Sequence, residues 1–490
     1  ILILILFISL LSITIILSTI GIETKQFNNL ITQKINSSNK NVSLNINSIK
    51  FKLDLKEISL FLETNNSQIN YRDAIIPTNN IKVYIDFISL FKFEAQIKKI
   101  NLILKEIEVA ELKKISTNFK PSNFTSFINN RIKTGNINSE IEIFLNNDNL
   151  LDNFIARGSV KNLEAKIDER FNFEDASFDF FADKSDILIK KVYGKTALFK
   201  IEKGDLKISL SPEIILESNF LTNIKYKKDP KNSLDISNIP FLGNFLNLDA
   251  ELKNYFFVNF DKTYKVKNYD YKVDGKIIEA YIKLNKPLKS NLLNEEIKEF
   301  NILNSEIKSK FNQNKKNIKI LGDYSFNNEN FLKYKFSNII EKSLINLEID
   351  LEYDKEIDLS PINYKKPKGI KAQIAINFDK DKDNYNINKI SLNEGKTSIL
   401  INGIKFKKEK ILSLKEIFVK TFSDGSINND FKILYTKDKI IVEGKEFDAT
   451  NIPKLFNQKR KNNRFSNINK EVEINLSEIN APLSEKLKDF

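Results

Sequence analysis

The sequence predicts a mostly β protein, in which an N-terminal transmembrane helix precedes an elongated, curled antiparallel β-sheet groove with a few short helices. Two observations lead to this prediction. The first 22 residues contain no charged side chain, and from Val42 onward apolar and polar residues alternate with a period of two over most of the chain. Such alternation is typical of strands that have one dry face and one solvated face.

The uncharged N-terminal segment is predicted to be a membrane anchor. As a helix, 22 residues span about 33 Å, which is enough to cross a hydrocarbon layer of about 30 Å. A cleaved signal peptide is the alternative, but its apolar core is only about 7–15 residues long and ends at a small-x-small site. The best cleavage candidate, Thr19-Ile20-Gly21, is poor. Residues 1–22 are therefore expected to be retained as a single-pass span.

Alternation beyond the anchor identifies a set of apolar residues that should face one side of the sheet. A slip of one residue in strand register would turn the whole set to the other side, so the shared face is strongly specified. These residues are the candidates for lining a groove: Leu44, Ile46, Phe51, Leu53, Leu55, Leu102, Leu104, Ile141 and Ile143.

Helical interruptions of the strands are expected at 121–131, 240–248 and 452–457. Lys203-Gly204-Asp205 is predicted to be the turn of a hairpin, and Gly194 and Gly395 are predicted to lie in turns. Residues 23–115 are interpreted as the start of the groove and residues 116–490 as its continuation, which reads as truncated at the C-terminus. A compact sandwich fits the local pattern, but single sandwiches hold about 100 residues and nothing divides this chain into such modules.

The composition argues against an enzyme. The chain has no Cys and no His, which excludes disulfides, thiol nucleophiles and Ser-His-Asp triads, and removes the commonest metal ligand. No catalytic, metal or cofactor-binding residue is predicted. The segment 379–383 has the acidic spacing of a calcium loop, but its sixth position is Asn384 and its twelfth is Ile390, so a hairpin tip is favoured. An enzyme based on paired carboxylates or Lys is kept as the weakest hypothesis.

The charge pattern favours a solvated β protein over one that binds nucleic acid. The chain has 77 Lys and Arg residues and 64 Asp and Glu residues, a net charge of +13. Lys and Glu alternate locally, as on solvated strand faces, and the excess of positive charge would attract anionic membrane surfaces. No helix-turn-helix, zinc-finger or RRM pattern is present, so no nucleic-acid partner is expected.

The order of these segments resembles the AsmA-like superfamily of Gram-negative envelope proteins. The uncharged anchor is followed by NVSLNINSIKFKLDLKEISLFLE (41–63) and IKVYIDFISLFKFEAQIKKINLILKEIEV (81–109), which are similar to the opening strands of that family. The segment from Gly135 to Val160 is similar to the family's G-x-I … F-x-x-x-G-x-V strand pairs. Residues 440–449 are similar to its G-x-x-x-D element.

The resemblance implies a cell-envelope protein of the bacterial inner membrane with its body in the periplasm. It also implies a hydrophobic groove that conducts phospholipid toward the outer membrane, so that acyl chains, the inner membrane and outer-membrane components would be its partners. The alternative is a structural or assembly factor for outer-membrane biogenesis that conducts no lipid. The two hypotheses differ in whether the apolar face is open or is filled by protein.

Overall fold

The structure is a computed structural model of the chain. It describes residues 2–25, 28, 32, 42–46, 48–57, 59–72, 74–86, 96–117, 123–148, 150–166, 172–228, 244–261, 263, 265–290, 292, 295–407, 410–436, 438–452, 470–482 and 486–488. Within these residues the mostly β prediction is confirmed, since 31 strands accompany three α-helices and one 3-10 turn.

The chain divides into two units. Unit 1 comprises Ile1–Thr222 and Phe256–Lys267, and unit 2 comprises Asn223–Tyr255 and Asn268–Phe490. From the N-terminus to residue 227 the elements are α1 Leu2–Thr19, β1 Ile22–Thr24, β2 Val42–Asn45, β3 Ile49–Asp54, β4 Ser59–Asn65, β5 Gln68–Tyr71, β6 Ala74–Ile85, β7 Ile97–Leu104, β8 Ile107–Glu108, α2 Val109–Ser116, α3 Asn123–Arg131, β9 Ile132–Leu145, β10 Leu151–Lys166, β11 Asn172–Ala182, β12 Asp186–Lys195, β13 Phe199–Ser209 and β14 Ile214–Lys227.

The remaining elements follow from residue 245. They are β15 Phe245–Phe260, β16 Val266–Leu288, β17 Ile297–Asn312, β18 Lys315–Phe326, β19 Leu332–Glu341, β20 Leu344–Tyr353, β21 Ile357–Leu359, the 3-10 turn Ser360–Ile362, β22 Tyr364–Lys366, β23 Ala372–Asp381, β24 Asn384–Glu394, β25 Thr397–Lys407, β26 Lys410–Ser413, β27 Glu416–Ser423, β28 Ser426–Tyr435, β29 Lys439–Asp448, β30 Glu471–Asn480 and β31 Lys486–Lys488.

The main sheet of unit 1 is antiparallel. Its strands pair in the order β1, β3, β4, β6, β7, β9, β10, β11, β12 and β13. A smaller ladder joins β2 to β5 and β5 to β6. Helix α2 covers one end of β9, where a Cβ on Gly135 would lie 3.3 Å from Val109 Cγ2. Val109 and Ile115 of α2 are both buried.

Unit 2 contains a mixed sheet. From β16 the strands pair in the order β16, β17, β18, β19, β20, β23, β24, β25, β27, β28, β29, β30 and β31. The purely antiparallel expectation is wrong at one place, because β29 and β30 are parallel. A parallel pair needs a crossover of a dozen or more residues, and the stretch between Asp448 and Glu471 is long enough to supply it.

The predicted 22-residue N-terminal helix is too long. Helix α1 has 18 residues, about 27 Å, and Gly21 then takes a left-handed conformation with φ +77° while its N–H donates to Ile16 O at 2.8 Å. Ile22–Thr24 pairs with β3 instead of continuing the helix. No helix in the described part of the chain has both the length and the apolar character needed to cross a membrane.

Several local predictions were confirmed and others were wrong. The helix expected at 121–131 is present as α3 over Asn123–Arg131, and the segment 379–383 contains the tip of the β23–β24 hairpin, with Lys382 and Asp383 between the strands. Gly395 is in a turn with φ +54°, but Gly194 lies within β12, and the predicted hairpin around Gly204 is one continuous strand, β13. Residues 245–248 of the helix predicted at 240–248 belong to β15, and residues 453–457 of the third helix lie outside the described residues.

Candidate functional site

One face of the unit 1 sheet is a continuous apolar surface. Directly paired residues of antiparallel strands point to the same side, so the register shows which side chains share a face. One such row is Phe51, Leu62, Val83, Ile100, Ile143 and Phe154, and the next is Ile81, Leu102, Ile141, Ala156, Ala182, Ile187 and Ile208. Most of these side chains are only half-buried. We call this surface the unit 1 apolar face.

The structure brings five of the nine predicted groove residues onto the unit 1 apolar face by direct pairing: Phe51, Leu53, Leu102, Ile141 and Ile143.

The other four predicted residues lie at the ends of strands or in the smaller ladder. Leu104 ends β7 opposite Thr78 and is buried. Leu44 is in β2 and is also buried, and Ile46 follows the end of β2. Leu55 lies in the turn after β3 and is 60% exposed, because the Asp54 carboxylate accepts the backbone N–H of Lys56 at 2.9 Å and ends the strand.

The opposite face of the unit 1 sheet is held by charged and amide side chains. Lys52 Nζ lies 2.6 Å from Glu63 Oε2, and Asn80 Nδ2 donates to Glu63 Oε1 at 2.8 Å. Burial would raise the pKa of Glu63, but these hydrogen bonds outweigh burial and lower its pKa below the usual value. Farther along the sheet, Arg157 and Glu140 form another ion pair, with 2.9 Å between Arg157 Nη2 and Glu140 Oε2. Ion pairs and amides on this face therefore alternate with aromatic residues such as Phe61 and Tyr84, which are buried.

Unit 2 repeats the one-sided pattern across nine strands, from β19 to β30. The register aligns one apolar residue from each strand into a stripe that we call the open stripe, made of Phe336, Ile349, Ile376, Ile390, Ile401, Ile417, Ile433, Val442 and Ile474. Eight of its nine members are half-buried and Ile474 is 39% exposed. Ile417, Ile433 and Val442 also pack against the buried core of the neighbouring stripe.

A second stripe on the same face is closed. On each of these strands, the residue two positions from the open-stripe residue belongs to this second stripe. We call it the covered stripe, and its apolar members are Leu351, Ile374, Leu392, Ile399, Val419, Phe431 and Leu476. Its members from Leu392 onward are at most 8% exposed. They form one core with Ile357 and Tyr364, while Leu359 and Ile362 pack against this core. These four residues lie between β20 and β23, in the segment 354–371, which we call the cover hairpin.

Hydrogen bonds hold the tip of the cover hairpin to the end of the sheet. Asn429 Nδ2 donates to the backbone oxygen of Ile362 at 2.8 Å, and Asn428 Nδ2 donates to that of Asn363 at 3.2 Å. Asn363 has φ +46°, and its own amide donates to Asp448 Oδ2 at 2.8 Å. Asn429 is fully buried, so its amide must be paired inside the protein.

Charged groups hold the base of the cover hairpin. Lys355 is 4% exposed, and its ammonium lies 2.8 Å from both Glu295 and Glu329. Hydrogen bonds from Lys355 and Lys368 lower the pKa of Glu295 to about 2. Lys366 is fully buried, and its ammonium donates to Lys355 O at 2.9 Å and Pro367 O at 3.0 Å. Burial lowers the pKa of Lys366.

The cover hairpin and its amide contacts were missed from the sequence. One signal was present: Pro361 and Pro367 interrupt the alternating pattern within a few residues, and Gly369 follows with φ +87°. Such residues indicate a break between strands, but they do not show that the segment folds back over the apolar face.

Among the described residues, no group of three or more Asp or Glu side chains is arranged to hold a metal ion. Comparisons with family models, with curated proteins and with solved structures find no match to this chain.

Proposed function

We propose that this protein is a membrane-anchored envelope protein whose apolar sheet faces bind phospholipid acyl chains and conduct them toward the outer membrane. The observation that supports it most is the register, which aligns half-buried apolar side chains across consecutive strands in both units. Each methylene removed from water is worth about 0.8 kcal/mol, so acyl chains would bind such a surface mainly by desolvation.

Photo-crosslinking tests this proposal. A photo-crosslinking residue at Leu102, on the unit 1 apolar face, is expected to capture phospholipid in cells. The same residue at Arg157 is the matched control, because Arg157 lies in β10 on the polar face and its side chain is 53% exposed. Equal capture at both positions, or none at Leu102, would contradict the proposal.

The location of the protein is also a proposal. We infer that α1 inserts into the inner membrane and that the two units lie in the periplasm. The exposed apolar side chains of α1 support insertion, since Leu4 is 63% exposed and Phe7 is 61% exposed. After a sodium carbonate wash, the full chain should stay in the membrane pellet, while a variant lacking 1–21 should be released. Release of the full chain would contradict membrane insertion.

A structural or assembly role without lipid conduction is the second candidate. The covered stripe favours it, because there the protein fills its own apolar face as an ordinary core. Under this second function the unit 1 apolar face would bind a protein partner, and Leu102 would crosslink to protein instead of lipid.

A further inference from the structure

We propose that the cover hairpin is a fixed wall of the lipid path in unit 2, which confines acyl chains to the open stripe and keeps them off the covered stripe. This inference rests on the proposed function, because it names which part of the apolar face lipid can reach. The two stripes run side by side across the same strands, and the core that closes the covered stripe includes Ile357 and Tyr364 of the hairpin.

The first step of the argument is that the hairpin is separable from the sheet. β20 and β23 pair directly, and their last register pair is Tyr353 with Ala372. The sheet therefore continues from one strand to the next without needing the intervening segment. A two-residue turn joining Asp354 to Lys371 would close the same pair of strands.

The second step is that the hairpin occupies the place an acyl chain would take. Ile357 and Tyr364 are 6% and 4% exposed, and both lie in one core with Leu392, Ile399 and Val419 of the covered stripe. Their apolar atoms pack in this core, and the Tyr364 hydroxyl also donates to Glu394 Oε2. An acyl chain could reach the covered stripe only by displacing them.

The third step is that the hairpin is fastened at both ends. Asn428 and Asn429 hold its tip, and Lys355 holds its base between two glutamates. Within the hairpin, the buried Lys366 ammonium donates to the backbone oxygens of Lys355 and Pro367 and so braces the hairpin itself. A swing of the hairpin away from the sheet would break the contacts of Asn428 and Asn429 at its tip and those of Lys355 at its base, so the geometry favours a wall that stays in place over a gate that swings.

Single cysteines test this proposal cleanly, because the natural chain has none. Ile399→Cys lies in the covered stripe and Ile401→Cys lies in the open stripe, two residues away on the same strand and face. Each full-length variant is incubated with vesicles that contain a phospholipid bearing a maleimide on its acyl chain. Ile401→Cys should be labelled at least ten times faster than Ile399→Cys.

Removal of the wall completes the experiment. A variant in which 355–370 is replaced by Asn-Gly should bring the labelling of Ile399→Cys to within a few fold of that of Ile401→Cys. If this variant does not fold, Tyr364→Ala in the full chain should raise the labelling of Ile399→Cys. Similar labelling at the two positions in the intact protein would overturn the wall while leaving lipid binding in place. No labelling at Ile401→Cys would instead contradict the proposed function.

Discussion

Placing a carboxylate at neighbouring positions of one strand should affect stability very differently in the two stripes. Ile399 is 8% exposed beneath the cover hairpin, whereas Ile401 is half-buried in the open stripe. Ile399→Asp loses about 1.5–3 kcal/mol of apolar burial. It also places an unpaired polar group inside the core, at a further cost of about 2–7 kcal/mol. Because domains are stable by only about 5–15 kcal/mol, this variant should be close to unfolding.

Ile401→Asp should be far milder, because its carboxylate can remain hydrated. We expect a loss of about 1 kcal/mol, within the ordinary range for a partly exposed site. Urea unfolding followed by circular dichroism measures both variants against the wild type, and the midpoint should fall much farther for Ile399→Asp. Equal losses would refute the reasoning, since the open stripe would then be as closed as the covered stripe.

Three further predictions concern local contacts. The first is Glu295→Gln. The pKa of Glu295 is about 2 in the folded state and about 4.3 in the unfolded state. Its ionised carboxylate therefore stabilises the fold above about pH 4.3, and this stabilisation is lost as the pH falls toward 2. Urea titrations should therefore show the variant less stable at neutral pH and converging on the wild type as the pH falls through 2. Gly158→Ala should lower the melting temperature, because a Cβ there would lie 2.1 Å from the backbone oxygen of Asn138; an unchanged melting temperature would contradict the tight packing. Asn429→Ala should cost about 1–3 kcal/mol by leaving buried groups unpaired, while the exposed Asn475→Ala should cost almost nothing.

The parts of the fold that depend on side-chain period could be predicted from sequence. Phe51, Leu53, Leu102, Ile141 and Ile143 recur with a period of two, although Ile103 and Phe144 beside them are also apolar, and the register places the five on one face. Period two is a property of the extended backbone itself, so it needs no knowledge of distant contacts. The prediction from this period was wrong for Leu55, because the alternation continues in the sequence beyond the point where Asp54 ends the strand.

Glycine positions were harder to interpret. Gly204 stands between charged residues, which is typical of a hairpin turn, yet it lies inside β13. A Cβ at this position would lie 2.3 Å from the ring of Phe220, so the aromatic ring fills the space above the glycine. Gly194 is covered in the same way by the ring of Phe173. Sequence alone did not show these pairings, because they join residues on different strands.

The division of the apolar face into open and covered stripes was also beyond sequence. Ile399 and Ile401 are the same residue type on the same face of one strand, and only the position of the cover hairpin separates their environments. The hairpin's placement depends on Asn428 and Asn429, whose amides recognise backbone oxygens more than sixty residues away. Such contacts leave no periodic signal.

The central claim is that the apolar faces hold phospholipid, and the most direct measurement is the amount of phospholipid that purifies with the protein. Lipid phosphorus per chain should be determined for the wild type and for Leu102→Asp after identical mild detergent purification. We expect the wild type to carry phospholipid, and Leu102→Asp to lose most of it while its melting temperature changes by only a few degrees. A wild type that carries no phospholipid, or a Leu102→Asp variant that unfolds, would contradict an open lipid-binding face.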